Sequence, residues 1–400
     1  MTRRPAGAET RRDCLDARGY DGYCSCMVYF DYNATTPVLA EVRDAMLPYL
    51  SDRWGNASSA HVAGRRSRDA IEEARGHIAS LICASRDEIV FTSGATESNQ
   101  TALRTFLDAG SPVVCSAVEH PSVLSLVDTD GNGGEVALVP VDADGQLVCS
   151  ELQTRIDQAE QPGLVSLIWA NNETGILSPV DCGAEIAKTS GWRVHLDGAQ
   201  MVGKLPVDVS HVNADYLSLS AHKMYGPPGV GALYVRSGSP HTALIQGLQE
   251  KGRRGGTEPV ALIVGFGEAA RLASLQMADR YKDVLRLRDL LEAGLGKSLS
   301  NAIVNGQKNK RLPNTTSVTL AGVDGEVLVS LLSERGFCVS TSSACKSSVP
   351  TPSHVLLAMG RSYEDAGATL RISLSHLTGL TFRTCEDAFA VDFSRWRRSS

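Results

Sequence analysis

The sequence lacks the two features that would place a protein outside the cell or within a membrane. Its ten cysteines are spread over 400 residues without regular spacing, far below the density of a small disulfide-stabilised protein. No run approaches the roughly 18 consecutive apolar residues of a membrane-spanning helix. We therefore expect a protein of a reducing compartment, located in the cytoplasm and without a membrane partner.

A strong charge of one sign is also missing. The chain has 39 basic and 45 acidic residues and a formal net charge of -6, so it offers no general positive surface to a polyanion. We expect no direct nucleic-acid binding. The hydrophobic share of 42% is too high for a mainly disordered chain, and the length suggests about two or three domains.

Residues 1–26 lack hydrophobic periodicity and are predicted to form a disordered extension. From residue 41 onward, short β-rich runs alternate with helical patterns. These runs are residues 88–92, 112–115, 136–140, 164–169, 194–196, 216–219 and 231–235. Nearly continuous apolar strands between helices are typical of a largely parallel sheet that is covered on both faces. We predict an α/β architecture of about seven strands.

A long helical pattern at residues 259–295 ends this alternation, with Leu287, Leu291 and Leu295 on one face. Different elements follow it. The strands are predicted at residues 302–305, 315–320, 337–340 and 370–374, and the helices at 326–334, 353–359 and 385–396. Their order indicates a second, smaller α+β domain.

The stretch from Ser218 to Gly231 carries the strongest chemical signal. A strand leads to Lys223, and a glycine-rich turn follows. A lysine in a pocket at a strand end can lose its proton and attack an aldehyde cofactor. The alternative interpretation is a surface lysine in a turn.

Asp197 follows another apolar strand and is suited to pair with a protonated ring nitrogen of such a cofactor. His195 and Asp197 could instead be two metal ligands. No third ligand lies nearby in the sequence, so we predict no metal site.

A small-residue turn opens a predicted helix directly after the run at residues 88–92. It contains Gly94, Ala95 and Thr96. Free amides at a helix N-terminus, together with the Thr96 hydroxyl, form an anion site. We expect a phosphate group to bind there.

Together with further motifs, these residues indicate a known family. The motifs are Asp31-Tyr-Asn-Ala-Thr-Thr-Pro37, Gly55-Asn-Ala-Ser-Ser59, Glu119-His120, Asn171-Asn-Glu-Thr-Gly175, Arg254-Gly-Gly-Thr-Glu-Pro259 and Ser343-Ala-Cys345. From about residue 27 to about residue 377, in this order, the chain closely resembles the pyridoxal-phosphate-dependent cysteine desulfurases of the class V aminotransferase superfamily. It is similar to the branch that has a Ser-Ala-Cys loop.

The resemblance implies a homodimer of fold-type I with pyridoxal 5'-phosphate as cofactor. Residues 41–281 would form the large cofactor-binding domain. Residues 27–40 and 282–400 would form the small domain, which carries the loop with the catalytic cysteine. Thr257 would reach into the site of the other subunit, so that dimerisation completes the site.

The resemblance also implies roles for individual side chains. Lys223 would bind the cofactor aldehyde covalently, Asp197 would contact the ring nitrogen, and Gln200 the phenolic oxygen. His120 would stack on the ring and transfer protons; its alternative is a helix-start histidine bonded to the backbone. The remaining implied contacts are Asn172 near the ring oxygen and, at the phosphate, Ala95, Thr96, Ser220, His222 and Thr257.

Two residues are candidates for substrate binding. Arg371 lies on the predicted strand at 370–374 and could hold a carboxylate in a bidentate manner. Asn33 could add a further donor. The alternative for Arg371 is a structural ion pair.

Cys345 differs from the other cysteines of the compact region. Cys83, Cys115, Cys149 and Cys338 lie in apolar patterns and are expected to pack as small buried side chains. Cys345 lies in a polar run, where an exposed thiolate can attack sulfur and deliver it.

We predict an enzyme that converts L-cysteine to L-alanine and leaves the sulfur on Cys345 as a persulfide. An acceptor protein would then take this sulfur for iron-sulfur assembly, tRNA thiolation or DNA phosphorothioate modification. The alternatives are a selenocysteine lyase or another fold-type I enzyme.

Overall fold

The computed structural model of the chain describes residues 27–127, 135–341 and 351–380. The helices in these ranges are α1 Ala40–Leu50, α2 Val62–Leu81, α3 Ala95–Leu107, α4 Pro121–Leu124, α5 Cys149–Gln158, α6 Val180–Thr189, α7 Val260–Ser298, α8 Gly325–Glu334, α9 His354–Ala358 and α10 Tyr363–Gly367. The strands are β1 Val28–Tyr29, β2 Ile89–Thr92, β3 Val113–Ser116, β4 Val136–Val139, β5 Leu164–Ile168, β6 Arg193–Asp197, β7 Tyr216–Ser220, β8 Gly231–Val235, β9 Ala302–Val304, β10 Thr315–Leu320, β11 Phe337–Cys338, β12 Ser340–Thr341 and β13 Thr369–Ser373.

The larger sheet has seven strands in the order β2-β8-β7-β6-β5-β3-β4. Its neighbouring strands are parallel except at β8, which runs antiparallel to both β2 and β7. Strands β5 and β7 are buried along their whole length, because helices cover both faces of the sheet. The predicted seven-stranded, mainly parallel sheet is confirmed.

A smaller antiparallel sheet has the order β12-β13-β10-β9. Its apolar face packs against the second half of α7, where Leu287, Leu291 and Leu295 are buried as the sequence pattern predicted. The first half of α7 packs on the larger core, through residues such as Ile263 and Phe266. The domain boundary near residue 281 stays a prediction.

The predicted strand at 337–340 forms two short strands instead of one. β11 pairs in parallel with β1, whereas β12 pairs with β13. The two pairings divide the segment between two sheets. The N-terminal strand thereby joins the C-terminal part of the chain. The predicted extension at 1–26 and the predicted helix at 385–396 lie outside the described residues.

Helix α7 is long and apolar enough to cross a membrane by length and composition alone. An 18-residue window of it has a mean hydropathy of 1.3, and half of that window is buried inside the protein. Buried apolar residues of α7, such as Ile263 and Leu291, pack on the two hydrophobic cores.

The expectation that four cysteines pack as buried side chains is only partly correct. Cys115 is buried in β3, and Cys338 is half-buried. The expectation is wrong for Cys83, which is exposed in the turn after α2. It is also wrong for Cys149, which is half-buried and whose sulfur lies against that of Cys182 between α5 and α6.

Candidate active site

A cavity of about 470 Å³ lies where the parallel strands β5, β6 and β7 end and where α3 begins. Carboxyl ends of parallel strands are the usual ligand-binding edge of an α/β sheet. The structure brings eleven of the predicted site residues to this cavity, namely Asn33, Ala95, Thr96, His120, Asn172, Asp197, Gln200, Ser220, His222, Lys223 and Arg371. Thr257 is exposed and does not line it, and Cys345 lies outside the described residues.

Lys223 ends a single helical turn that follows β7. Its Nζ donates to the carbonyl oxygens of Asn33 at 2.6 Å and Ala34 at 2.7 Å. Burial, assisted by the charge of Arg371, lowers the pKa of Lys223 to about 8, although Asp31 and Asp197 act in the opposite direction. A large fraction of the amine is therefore neutral and nucleophilic at mildly alkaline pH.

Asp197 is the last residue of β6 and is buried at the base of the cavity. One carboxylate oxygen accepts from Asn99 Nδ2 at 2.7 Å, and the other accepts from the Ala199 amide at 3.0 Å. These bonds fix the carboxylate, which can pair with a protonated ring nitrogen. The sequence did not reveal Asn99, because it lies inside α3 and shares no motif with Asp197.

His195 points away from this chemistry. Its two ring nitrogens bond the hydroxyls of Ser166 at 2.8 Å and Ser218 at 2.9 Å on the neighbouring strands. Burial lowers the pKa of His195 to about 4, so the ring is a neutral core histidine. Both nitrogens are engaged within the sheet, and neither is available to a metal beside Asp197.

His120 has the helix-start position of its alternative interpretation, and it also lines the cavity. It caps α4, since its Nδ1 accepts from the Ser122 amide at 3.1 Å, and its ring also lines the cavity. A backbone amide can only donate, so Nδ1 carries the lone pair and Nε2 the proton. Ser122 also bonds Asn99, which connects His120 to the support of Asp197.

The turn from Ser93 to Thr96 leads into the N-terminus of α3, and Ala95 and Thr96 face the cavity. The first amides of a helix have no intrahelical acceptor and can bind an anion. Gly231 allows the turn to approach β8, because a Cβ on it would lie 2.6 Å from the Cα of Gly94.

Ser220 and His222 contribute to the same wall. His222 Nδ1 lies 3.1 Å from the Thr35 hydroxyl. Burial and the charge of Lys223 lower the pKa of His222 to about 4. The imidazole is therefore neutral and can act as a hydrogen-bond donor to a phosphate oxygen.

Gln200 and Asn33 form a connected network below Lys223. Gln200 Nε2 donates to the Asn33 carbonyl at 2.9 Å. Both donor contacts of the Asn33 amide are internal, to the Asn172 carbonyl at 3.1 Å and the Thr315 hydroxyl at 2.9 Å. The network holds Asn33 in place, and its side chain has no donor left for a substrate.

Lys204 belongs to this network and was missed by the sequence analysis. Its Nζ bonds Asn33 Oδ1 and Gln200 Oε1. Burial, with the charges of Lys223 and Arg371, lowers the pKa of Lys204 well below its usual value. A motif search could not find it, because the lysine follows a loop seven positions after Asp197 without a pattern that predicts burial.

Arg371 lies on β13 and faces the cavity. Its Nη2 donates to Asp31 Oδ1 at 2.7 Å, and its Nη1 lies 3.4 Å from the Asn172 carbonyl oxygen. Arg371 therefore forms the ion pair of its alternative interpretation. Arg371 still lines the cavity, so the same guanidinium is in reach of a bound carboxylate.

The donor set fits pyridoxal 5'-phosphate. The cavity has a fixed carboxylate for a ring nitrogen, a partly neutral lysine for an aldehyde, and a helix N-terminus for a phosphate. No group of three or more His, Cys, Asp or Glu side chains that could hold a metal occurs in the described part of the chain.

Comparisons with known proteins agree with this geometry. Residues 28–379 match the aminotransferase class-V family. The chain is 47% identical over 356 residues to a cysteine desulfurase from Sinorhizobium fredii, covering 87% of this chain and 91% of the relative. It is 41% identical to the cysteine desulfurase NifS of Azotobacter vinelandii, with 88% of each chain covered.

Solved structures give the same result. A NifS-like protein from Rickettsia africae is 31% identical, with a TM-score of 0.84 over 91% of this chain and 98% of that protein. DndA from Streptomyces lividans is 35% identical, with a TM-score of 0.72 over 86% of this chain and 98% of that protein. The chain therefore belongs to the aminotransferase class-V family and, within it, to the cysteine desulfurases.

Proposed function

We propose that this protein converts L-cysteine to L-alanine and transfers the sulfur to Cys345 as a persulfide. The observation that carries the proposal is the position of Lys223, a half-buried amine with a pKa of about 8, in one cavity with Asp197 and Arg371. The relatives named cysteine desulfurase, at 40 to 47% identity, support the same reaction.

Within this proposal, pyridoxal 5'-phosphate is bound by residues of the cavity. Asp197 holds the ring nitrogen, and His120 covers the ring. The amides of Ala95 and Thr96, with Ser220 and His222, hold the phosphate. When bound, the cofactor withdraws electrons from the Cα of the amino acid and so makes loss of its proton feasible.

The residues of this chain would then act in order. Arg371 binds the substrate carboxylate and orients the amino acid. Lys223, as the neutral amine, takes the Cα proton. His120 carries a proton on Nε2 and transfers it near the substrate thiol.

Sulfur transfer is assigned to Cys345, which lies outside the described residues, by its sequence motif. Its thiolate attacks the substrate sulfur, a sulfur-sulfur bond forms, and the Cβ-sulfur bond breaks. The bonding electron pair stays with the three-carbon fragment, which takes up protons and leaves as L-alanine. The persulfide remains on Cys345.

The wider assembly is part of the same proposal. We expect a cytoplasmic homodimer in which Thr257 contributes to the phosphate site of the other subunit. The exposure of Thr257 outside its own cavity supports this arrangement. A sulfur-acceptor protein would receive the persulfide sulfur for iron-sulfur assembly, tRNA thiolation or DNA phosphorothioate modification.

The test is turnover of L-cysteine by the purified enzyme reconstituted with cofactor, in the presence of a thiol reductant that releases the persulfide sulfur as sulfide, with L-alanine and sulfide both quantified. Lys223→Ala should abolish both products and the absorbance of the lysine-bound cofactor. Cys345→Ser should abolish turnover of L-cysteine but keep that absorbance. Full turnover of L-cysteine in Cys345→Ser would exclude the persulfide route and favour the selenocysteine lyase alternative.

A further inference from the structure

The ion pair between Arg371 and Asp31 has an unusual environment for a structural contact. Both side chains are mostly buried, with 10% of Arg371 and 16% of Asp31 exposed, and Arg371 faces the cavity. Asp31 lies next to the segment whose carbonyls at Asn33 and Ala34 accept from Lys223. Asp31 does not line the cavity itself, but it lies against the guanidinium that faces the cavity.

Asp31 accepts only one of the hydrogen bonds that the guanidinium of Arg371 can donate. A single oxygen of Asp31 accepts from Nη2, and Nη1 makes only the long contact to the Asn172 carbonyl oxygen. Arg371 Nε is buried and has no hydrogen-bond partner in the described part of the chain. The second oxygen of Asp31 accepts from the Ser340 hydroxyl at 2.9 Å. Donor capacity is therefore left on the guanidinium.

A second buried arginine shows what a purely structural pair looks like in this chain. Arg311 donates through Nη1 and Nη2 to both oxygens of Glu292, at 2.8 and 2.9 Å. Neither residue lines the cavity. The Arg311 pair is bidentate and closed, whereas the Arg371 pair is monodentate and open to the site.

We propose that Asp31 is the resting counter-ion of Arg371, and that an amino acid carboxylate has to compete with Asp31 for this guanidinium. The inference rests on the proposed function for the identity of the ligand, an α-amino acid. Two carboxylates at one guanidinium repel each other. Asp31 therefore weakens the binding of substrate and product alike, and acts as a positioning residue that sets the affinity of the site for carboxylates.

This arrangement has a specific kinetic consequence. An interaction that changes ground-state and transition-state binding equally changes KM and leaves the chemical step unaltered. Removing the charge of Asp31 should thus lower KM for L-cysteine. The variant enzyme should also retain L-alanine longer, because this product carries the same carboxylate as the substrate.

The test compares Asp31→Asn with wild type as holoenzymes. At about pH 9.5, well above the Lys223 pKa of about 8 that the Asp31 charge helps to set, we expect KM for L-cysteine to fall about fivefold, with no rise in kcat. The dissociation constant of L-alanine, measured by calorimetry, should fall by a similar factor. The dissociation constant of L-alaninamide, which lacks the carboxylate charge, should not change. Asp31→Ser, a second neutral variant, should reproduce the result if Asp31→Asn folds poorly.

Glu292→Gln is the matched control, because it neutralises a buried arginine partner away from the cavity. This variant should have a lower unfolding temperature. Its KM for L-cysteine and its dissociation constants for L-alanine and L-alaninamide should equal those of wild type. A higher KM in both Asp31 variants would overturn the proposal, since it would mean that Asp31 only orients Arg371. An equal change for L-alanine and L-alaninamide would overturn it as well.

The calorimetric measurement of L-alanine binding separates this inference from the proposed function. If L-alanine binding tightens in Asp31→Asn while wild type does not turn over L-cysteine, the role of Asp31 stands and the desulfurase reaction fails. If L-cysteine is turned over and L-alanine binding does not tighten, the reaction stands and the role of Asp31 fails.

Discussion

The carboxyl group of Glu119 should make the stability of this protein depend on pH. Glu119 precedes His120, is fully buried, and has no cation bonded to it in the described structure. Its Oε1 accepts from the Ser116 hydroxyl and from the Ile168 amide, and its Oε2 has no partner among the described residues. Burial raises the pKa of Glu119 from 4.5 to about 8.

The direction of the effect follows from proton linkage. The folded state holds a proton on Glu119 up to about pH 8, whereas the unfolded state releases it near its ordinary pKa. The stabilising contribution of the protonated group is complete below the unfolded pKa and is lost as pH rises through the folded pKa. At roughly 1.4 kcal/mol per pKa unit, the loss between pH 5 and pH 8 is about 3.5 kcal/mol.

Glu119→Gln removes the titration and keeps the shape of the side chain. The glutamine oxygen can accept the same two hydrogen bonds that Oε1 accepts. We expect the free energy of unfolding, measured by urea titration at pH 5, 6, 7 and 8, to fall less steeply in the variant. The difference between wild type and variant should grow by about 3.5 kcal/mol over this range.

Glu160→Gln is the control, since Glu160 is exposed and its replacement should leave the pH slope unchanged. Equal slopes for wild type and Glu119→Gln would refute the reasoning, because Glu119 would then be ionised in the folded state. A loss of more than about 3 kcal/mol at pH 5 would refute it too, since the two side chains should be equivalent there.

Three further predictions concern the support of the site. Asn99→Leu removes the 2.7 Å hydrogen bond to Asp197 and should weaken cofactor binding roughly tenfold or more in an absorbance titration. An unchanged affinity would show that Asn99 does not support Asp197 in binding the cofactor. Gly231→Ala places a Cβ 2.5 Å from the Leu219 carbonyl oxygen and should cost about 1 to 3 kcal/mol in stability, whereas Gly294→Ala in open space should not. Arg75→Met leaves the buried carboxylate of its ion-pair partner Glu250 without this cation. The free energy of unfolding in urea should fall by about 3 to 5 kcal/mol. A decrease of less than about 1 kcal/mol would contradict the burial of the pair.

The strands of the larger sheet could be predicted because each is a short apolar run between turn residues, and burial on both faces leaves that pattern in the sequence. The two strands formed by residues 337–341 could not be separated. Their division depends on pairing with β1 and with β13, which are distant in the chain. Local periodicity does not contain that information.

The candidate site divides in the same way. Lys223 and Asp197 follow strands and carry recognisable motifs, so their meeting at one edge of the sheet could be predicted. Asn99 and Lys204 have ordinary polar contexts in the sequence, and only the fold shows what they bond. The pairing of Cys149 with Cys182 was missed for this reason, because it depends on the packing of α5 against α6.

The short segment from Asp31 to Thr36 explains why the site needs both sheets. Its start is held by the smaller sheet, since Asp31 bonds Arg371 and Ser340. Its end is held by the lysine turn of the larger sheet, since the Thr36 amide donates to the carbonyl of His222. Between these anchors, the carbonyl oxygens of Asn33 and Ala34 accept from the Lys223 amine. Any shift of the smaller sheet therefore moves the hydrogen-bond acceptors of Lys223 and the counter-ion of Arg371 together. Arg371 and the Lys223 amine thus both contact the same six-residue segment.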